Sequence, residues 1–193
     1  MKTRWKVFKA GLQSNNGDIK WKRGEWQTHK GKLSLRSSGF HCSRRIIDAM
    51  QYTPAEIIAQ VEVKGKSLKD SNKECWEKMR IIKTYEWTKE DSVSLAIFGA
   101  ELVLFNFEKE FPDDKRPREA IEAAKRWLRE KSETAKSAAW SAVWSAESSK
   151  SAKSAKSAES AGWSAVWSEG WSEGYQKTLN KCEKFILKRL EDK

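Results

Sequence analysis

A chain of 193 residues with 38% hydrophobic and 34% charged side chains is too polar to fill one large core and reads as two modest units. Its formal net charge of +11 is almost confined to residues 1–45, where twelve Lys/Arg face two acids, Asp18 and Glu25, for +10, against 26 basic and 25 acidic residues in the remainder. There is no run of eighteen apolar residues, and Met1-Lys2-Thr3-Arg4-Trp5 lacks an apolar stretch, which argues against a spanning helix or an export signal and places the chain in the cytosol.

Three cysteines, Cys42, Cys75 and Cys182, are an odd number at wide spacings and suit reduced thiols better than a disulfide framework. Eleven tryptophans in so polar a chain must be covered by a core, an interface or a ligand.

In chain order, Arg4 to Lys9 alternates basic and apolar residues as a strand with one wet face does. Asn15-Asn16-Gly17-Asp18 reads as a turn. Ile19–Trp21, Trp26–Thr28 and Lys32–Arg36 are short strand candidates separated by Gly24 and Gly31. Ser43 is placed to cap a short helix over Arg44–Tyr52, which Thr53-Pro54 ends. Ile57, Ala59, Val61 and Val63 alternate with polar neighbours up to Gly65, and a second alternating run spans Met79–Trp87. The expected fold of residues 1–87 is therefore a small, mostly antiparallel sheet with one short helix.

Within that unit Trp5, Trp21 and Trp26 are interleaved with Lys6, Lys22, Arg23, Arg36, Arg44 and Arg45. Rings that stack bases beside cations that hold phosphates make a platform for anionic aromatic ligands. With His41, these ten residues form the candidate ligand-binding set. Trp5 is equally suited to a core position. His29, His41, Cys42 and Cys75 match no zinc spacing, so no metal is expected, and no cofactor either.

Gly39-Phe40-His41-Cys42-Ser43, followed by Ala49, Tyr52, Val61-Glu62-Val63, Gly65 and the Lys78–Ile82 segment, resembles a small domain of unknown function common in phage and prophage proteins. That likeness covers about residues 4–87 and implies no activity; a phage origin would make the compartment the host cytosol. The same Gly-Phe-His turn with Tyr52 and Glu62 is similar, to a lesser degree, to the small sheets of ADP-ribosyltransferase-like proteins.

From Thr88 the period changes. Thr88 and Asp91 have the spacing of a capping box, and Val93 through Phe107 is helical in spacing and apolar on most of its circumference. Phe111-Pro112-Asp113-Asp114 breaks this helix, and Pro117 opens a second one through Ala120, Ala124, Trp127 and Leu128. Further on, Ser137-Ala138-Ala139-Trp140-Ser141-Ala142-Val143-Trp144 returns 23 residues later as Ser160-Ala161-Gly162-Trp163-Ser164-Ala165-Val166-Trp167. Trp171 extends the second copy, and steps of four residues lay such rings in one slowly winding helical stripe. Trp140, Trp144, Trp163, Trp167 and Trp171 are the candidate packing interface, including one between copies of the chain, so a homo-oligomer is expected. Ser148–Ala161 between the copies has no apolar stripe.

Glu101-Leu102-Val103-Leu104-Phe105 with Glu108 through Ala124 resembles an alanine- and tryptophan-rich helical family labelled immunity proteins. The likeness extends over about residues 92–193 and implies a non-catalytic helical inhibitor or binding protein. This chain has Ser and Lys where that family has mostly Ala. The fold expected overall is α+β, with a sheet unit at 1–87 followed by an all-α bundle of Trp/Ala/Ser repeats at 88–193.

No phosphate-binding glycine loop, nucleophile elbow or paired helical histidines occur, so an enzyme is the weakest reading. The charge favours a phage-type binding protein that captures an anionic ligand, a nucleotide-derived or NAD-derived signal of host defence being the favoured example. The alternatives are an immunity-type inhibitor of a toxin or defence effector, and a nucleic-acid-binding module. A cleft lined by Trp21, Lys22, Arg23, Trp26 and Arg44 would favour ligand capture.

Overall fold

The computed structural model describes residues 1–17, 19–131 and 173–193. The chain is α+β, with a five-stranded antiparallel sheet followed by helices. Its strands are β1 (Lys2–Phe8), β2 (Gln27–Thr28), β3 (Phe40–Cys42), β4 (Ile57–Lys69) and β5 (Glu74–Glu86). The helices are α1 (Ile46–Ala49), α2 (Lys89–Glu110), α3 (Arg116–Glu130) and α4 (Glu173–Glu191). Among these, none is long and apolar enough to cross a membrane. The described chain divides into two compact units, residues 1–88 with 186–193 and residues 89–185.

The two long strands are the alternating runs read from the sequence, each extended toward the other. They meet at Asp70–Lys73, where the Asp70 amide donates to the Lys73 carbonyl at 2.8 Å. Gly65 does not end β4. It sits at φ +86° within a register shift between Lys64 and Ser67, the bulge a glycine permits at positive φ.

β1 lies on one side of β4, while β2 and β3 lie along the far edge of β5. These two edges are drawn together. Ser43, directly after β3, exchanges both backbone hydrogen bonds with Trp5 of β1 at 2.9 Å. The sheet thus curls into a nearly closed barrel, and Ser43 is spent on closing it. α1 is accordingly shorter than expected from Arg44–Tyr52, and its N-cap is Arg45 with no side-chain cap bond.

Inside the curl Phe8, Trp21, Phe40, Cys42, Ala59, Val61, Val63, Trp76, Met79 and Ile81 form one apolar cluster. Side chains two apart on a strand share a face. Phe8 therefore carries Lys6 and Arg4 toward the interior with it. The strands expected at Ile19–Trp21 and Lys32–Arg36 are loop. The segment from 13 to 39 makes only short or single pairings, such as Arg23 with Ile81 and Ser34 with Ser38. Among its described residues the one ladder is the two-residue pairing of β2 with β5, and backbone hydrogen bonds from Gly24 to Ile81 and from His29 to Glu77 hold it beside that strand.

In the second unit α2 begins one residue after Thr88, and α3 carries Pro117 in its first turn, where the missing N–H costs nothing. Ile97, Ile121 and Ala124 are the buried seam, flanked by Val93, Ala100, Leu104 and Leu128. Ion pairs Arg118–Glu108, Lys125–Glu101 and Lys131–Glu90 run in opposite chain directions along the two helices, as an antiparallel hairpin requires. Phe185 of α4 stacks on Phe98 of α2 with centroids 4.8 Å apart. The Trp/Ala/Ser repeats, with Trp140, Trp144, Trp163, Trp167, Trp171 and Ser148–Ala161, lie outside the described residues.

Candidate functional site

The ten candidate residues fall in several places. Trp21, expected on a surface beside Lys22 and Arg23, is 5% exposed. Its ring meets Phe8 and Phe40 edge-on at 5.6 and 5.2 Å, and its indole N–H donates to the Ser14 hydroxyl at 3.0 Å. This corrects the platform reading: a tryptophan between lysines reads as exposed from its neighbours, but here the chain crosses the interior and the barrel takes the ring. Trp26 keeps the expected cationic company by another route. It is half-buried between the Lys64 amine at 4.0 Å and the Arg80 guanidinium at 4.9 Å. These belong to β4 and β5 side chains directed away from the apolar cluster.

Lys22 is exposed beside Glu25, and Arg23 donates to the Ile82 carbonyl at 2.7 Å. Arg44 is exposed at the β4–β5 turn, where it donates to the carbonyls of Asp70 and Ser71. Arg45 caps α1. The cleft of Trp21, Lys22, Arg23, Trp26 and Arg44 is not formed.

A different concavity exists, and it gathers Trp5, Lys6, Arg36 and His41. It lies beside β1, with a volume of about 250 Å³, and is also lined by Asn15, Asn16, Phe40, Tyr52 and Lys73. The Gly-Phe-His segment builds its wall. Gly39 has φ +103°, and a Cβ there would meet the Cys75 sulfur at 2.5 Å and a Leu33 methyl at 2.7 Å. Phe40 then enters the core. His41 Nε2 donates to the Ser34 carbonyl at 2.9 Å, pinning the loop, and burial lowers the imidazole pKa.

Two inward cations of β1 have different partners. Arg4 donates to both oxygens of Glu74 at 2.7 and 3.2 Å, and the Trp76 indole donates to the same carboxylate at 2.8 Å. Burial alone would raise the Glu74 pKa, but these donors hold it below the usual carboxylate range. Lys6 donates to the His41 carbonyl at 3.0 Å and faces the Phe8 and Trp21 rings at 5.2 and 5.9 Å. No carboxylate among the described residues is within ion-pair distance of it. Burial pushes its ammonium down to about 8. Nearby Cys42 and Cys75 are buried free thiols; burial pushes Cys42 up to about 12 and also raises Cys75.

Tyr52, Asn15, Asn16 and Lys73 were not in the candidate set. Lys73 reaches the pocket only because β4 and β5 carry their turn back beside β1, a placement with no local sequence signal.

No curated protein and no solved structure matches the chain. Two family models do. Residues 85–167 match the one described as Imm-5 like putative immunity protein, and residues 2–91 match the one described as domain of unknown function DUF7666. The chain thus joins a DUF7666 domain to an Imm-5 like putative immunity protein domain.

Proposed function

We propose that the protein is a non-catalytic, immunity-type binding protein that neutralises a protein partner such as a toxin by covering it. The observation that carries this reading is the Imm-5 like match over residues 85–167. The α2–α3 hairpin supports it with aromatic surface near one end. Phe105 is 74% exposed, and Phe111 is 38% exposed with its ring 5.1 Å from that of Phe107. Exposed aromatic side chains gain most from being covered by a partner. Self-association through Trp140, Trp144, Trp163, Trp167 and Trp171 belongs to the same proposal, and light scattering tests it.

The main test is co-expression with each protein encoded beside it in the genome. Relief of growth arrest caused by one of them, weakened by Phe105→Asp, is the expected result; no relief from any of them contradicts the reading. A second reading, capture of an anionic small molecule by residues 1–88, is favoured by one observation: the pocket that gathers Lys6, Arg36 and Lys73. Without the expected stacking platform, capture of nucleic acid has no assembled surface.

A further inference from the structure

We propose that the pocket beside β1 binds a small phosphate monoester, with Lys6 as its anchoring cation; this rests on the second reading above. The contrast within β1 motivates it. Arg4 and Lys6 share the inward face, and the fold supplies Glu74 to Arg4 but no described carboxylate to Lys6. A buried ammonium without a counter-charge is costly unless something else brings the negative charge.

The rest of the pocket repeats that bias. Lys6, Arg36 and Lys73 come from β1, the loop before β3 and the β4–β5 turn, and among the described residues no Asp or Glu lines the cavity with them. Three cations with no acid among the described lining residues suit a dianion better than a carboxylate, and a phosphate monoester is a dianion near neutrality. Arg36 is exposed, and its guanidinium makes no hydrogen bond or ion pair to the described residues, so it is able to close on a phosphate as a bidentate donor. The Lys73 amine lies 4.8 Å from the Tyr52 ring. Trp5, Phe40 and Tyr52 add aromatic lining, and about 250 Å³ accommodates a phosphate with one small ring. His41 spends its Nε2–H on Ser34 and its carbonyl on Lys6, so it shapes the wall.

The test is calorimetric titration of the full chain with phenyl phosphate, inorganic phosphate and benzoate. Phenyl phosphate is expected to bind roughly tenfold or more tightly than either of the others. Lys6→Met should weaken it at least about tenfold while raising the melting temperature. Arg36→Gln and Lys73→Gln, which alter side chains outside the core, should each weaken it without unfolding the protein, and Lys22→Gln should change nothing. Benzoate binding as tightly as phenyl phosphate overturns the phosphate assignment but keeps the anion reading, and equal binding of inorganic phosphate overturns the ester. No binding of any probe at about 10 mM overturns both, as does binding indifferent to Lys6→Met, Arg36→Gln and Lys73→Gln.

Discussion

Along the inward face of β1, cations are taken out of water, one onto a buried carboxylate and one onto a carbonyl and two rings. Along the α2–α3 hairpin, the pairs Arg118–Glu108, Lys125–Glu101 and Lys131–Glu90 line the seam from the solvent side, while Ile97, Ile121 and Ala124 carry the burial. The same residue types therefore do different work. In water an ion pair is nearly neutral to stability, whereas inside a barrel a missing partner is expensive.

The largest effect expected from that contrast is Glu74→Ala, which strands Arg4 and the Trp76 indole. It should cost about 3 kcal/mol in urea denaturation, and an effect as small as that of a surface pair would break the comparison. Ile121→Ala opens the hairpin seam and should cost about 2 kcal/mol.

Lys6→Met should act in the opposite direction at neutral pH, stabilising the fold. Lys6 has an ordinary pKa of 10.5 and is pushed down to about 8 in the folded chain. Between these values the unfolded chain holds the proton and the folded chain has lost it, so the Lys6 contribution to stability rises with pH. The advantage of Lys6→Met should therefore shrink from about pH 8 toward 10.5. Cys42 works against this in the parent protein. Its thiol is pushed from 9.0 up to about 12, so the unfolded chain ionises first and stability falls across that window. Comparing the two proteins at each pH isolates Lys6. The smallest effect is expected for Lys125→Met in the hairpin, a nearly unchanged urea midpoint and little salt dependence.

How far the sequence could be read follows the same division. β4 and β5 were legible because alternation survives along strands with one face buried, and α2 and α3 because Pro112 and Pro117 mark their junction. In the segment 13–39 the strand expected at Trp26–Thr28 was legible and is β2, but the path of the chain around it was not. Trp21 between Lys20 and Lys22 shows no period that marks it as interior, and only the curl of the sheet decides its fate. Charge singles out Lys6 in the sequence, and the Gly-Phe-His motif singles out His41. What sets them apart is the Ser43–Trp5 closure and the hydrogen bond between them, both products of long-range pairing. Gly39 was visible as part of a motif, but its reason, the Cys75 sulfur close behind it, needed β3 laid against β5.

The ammonium of Lys6, half-buried and with no carboxylate partner among the described residues, is tested most directly by following the lysine side-chain ¹³Cε resonances through a pH titration of the full chain, alongside Lys6→Met to assign the signal. One lysine is expected to titrate at about 8, to vanish from the spectrum of the variant, and to move to higher pH when phenyl phosphate is present. A Lys6 signal that titrates at or above the ordinary lysine value of 10.5, with or without phenyl phosphate, would contradict the account.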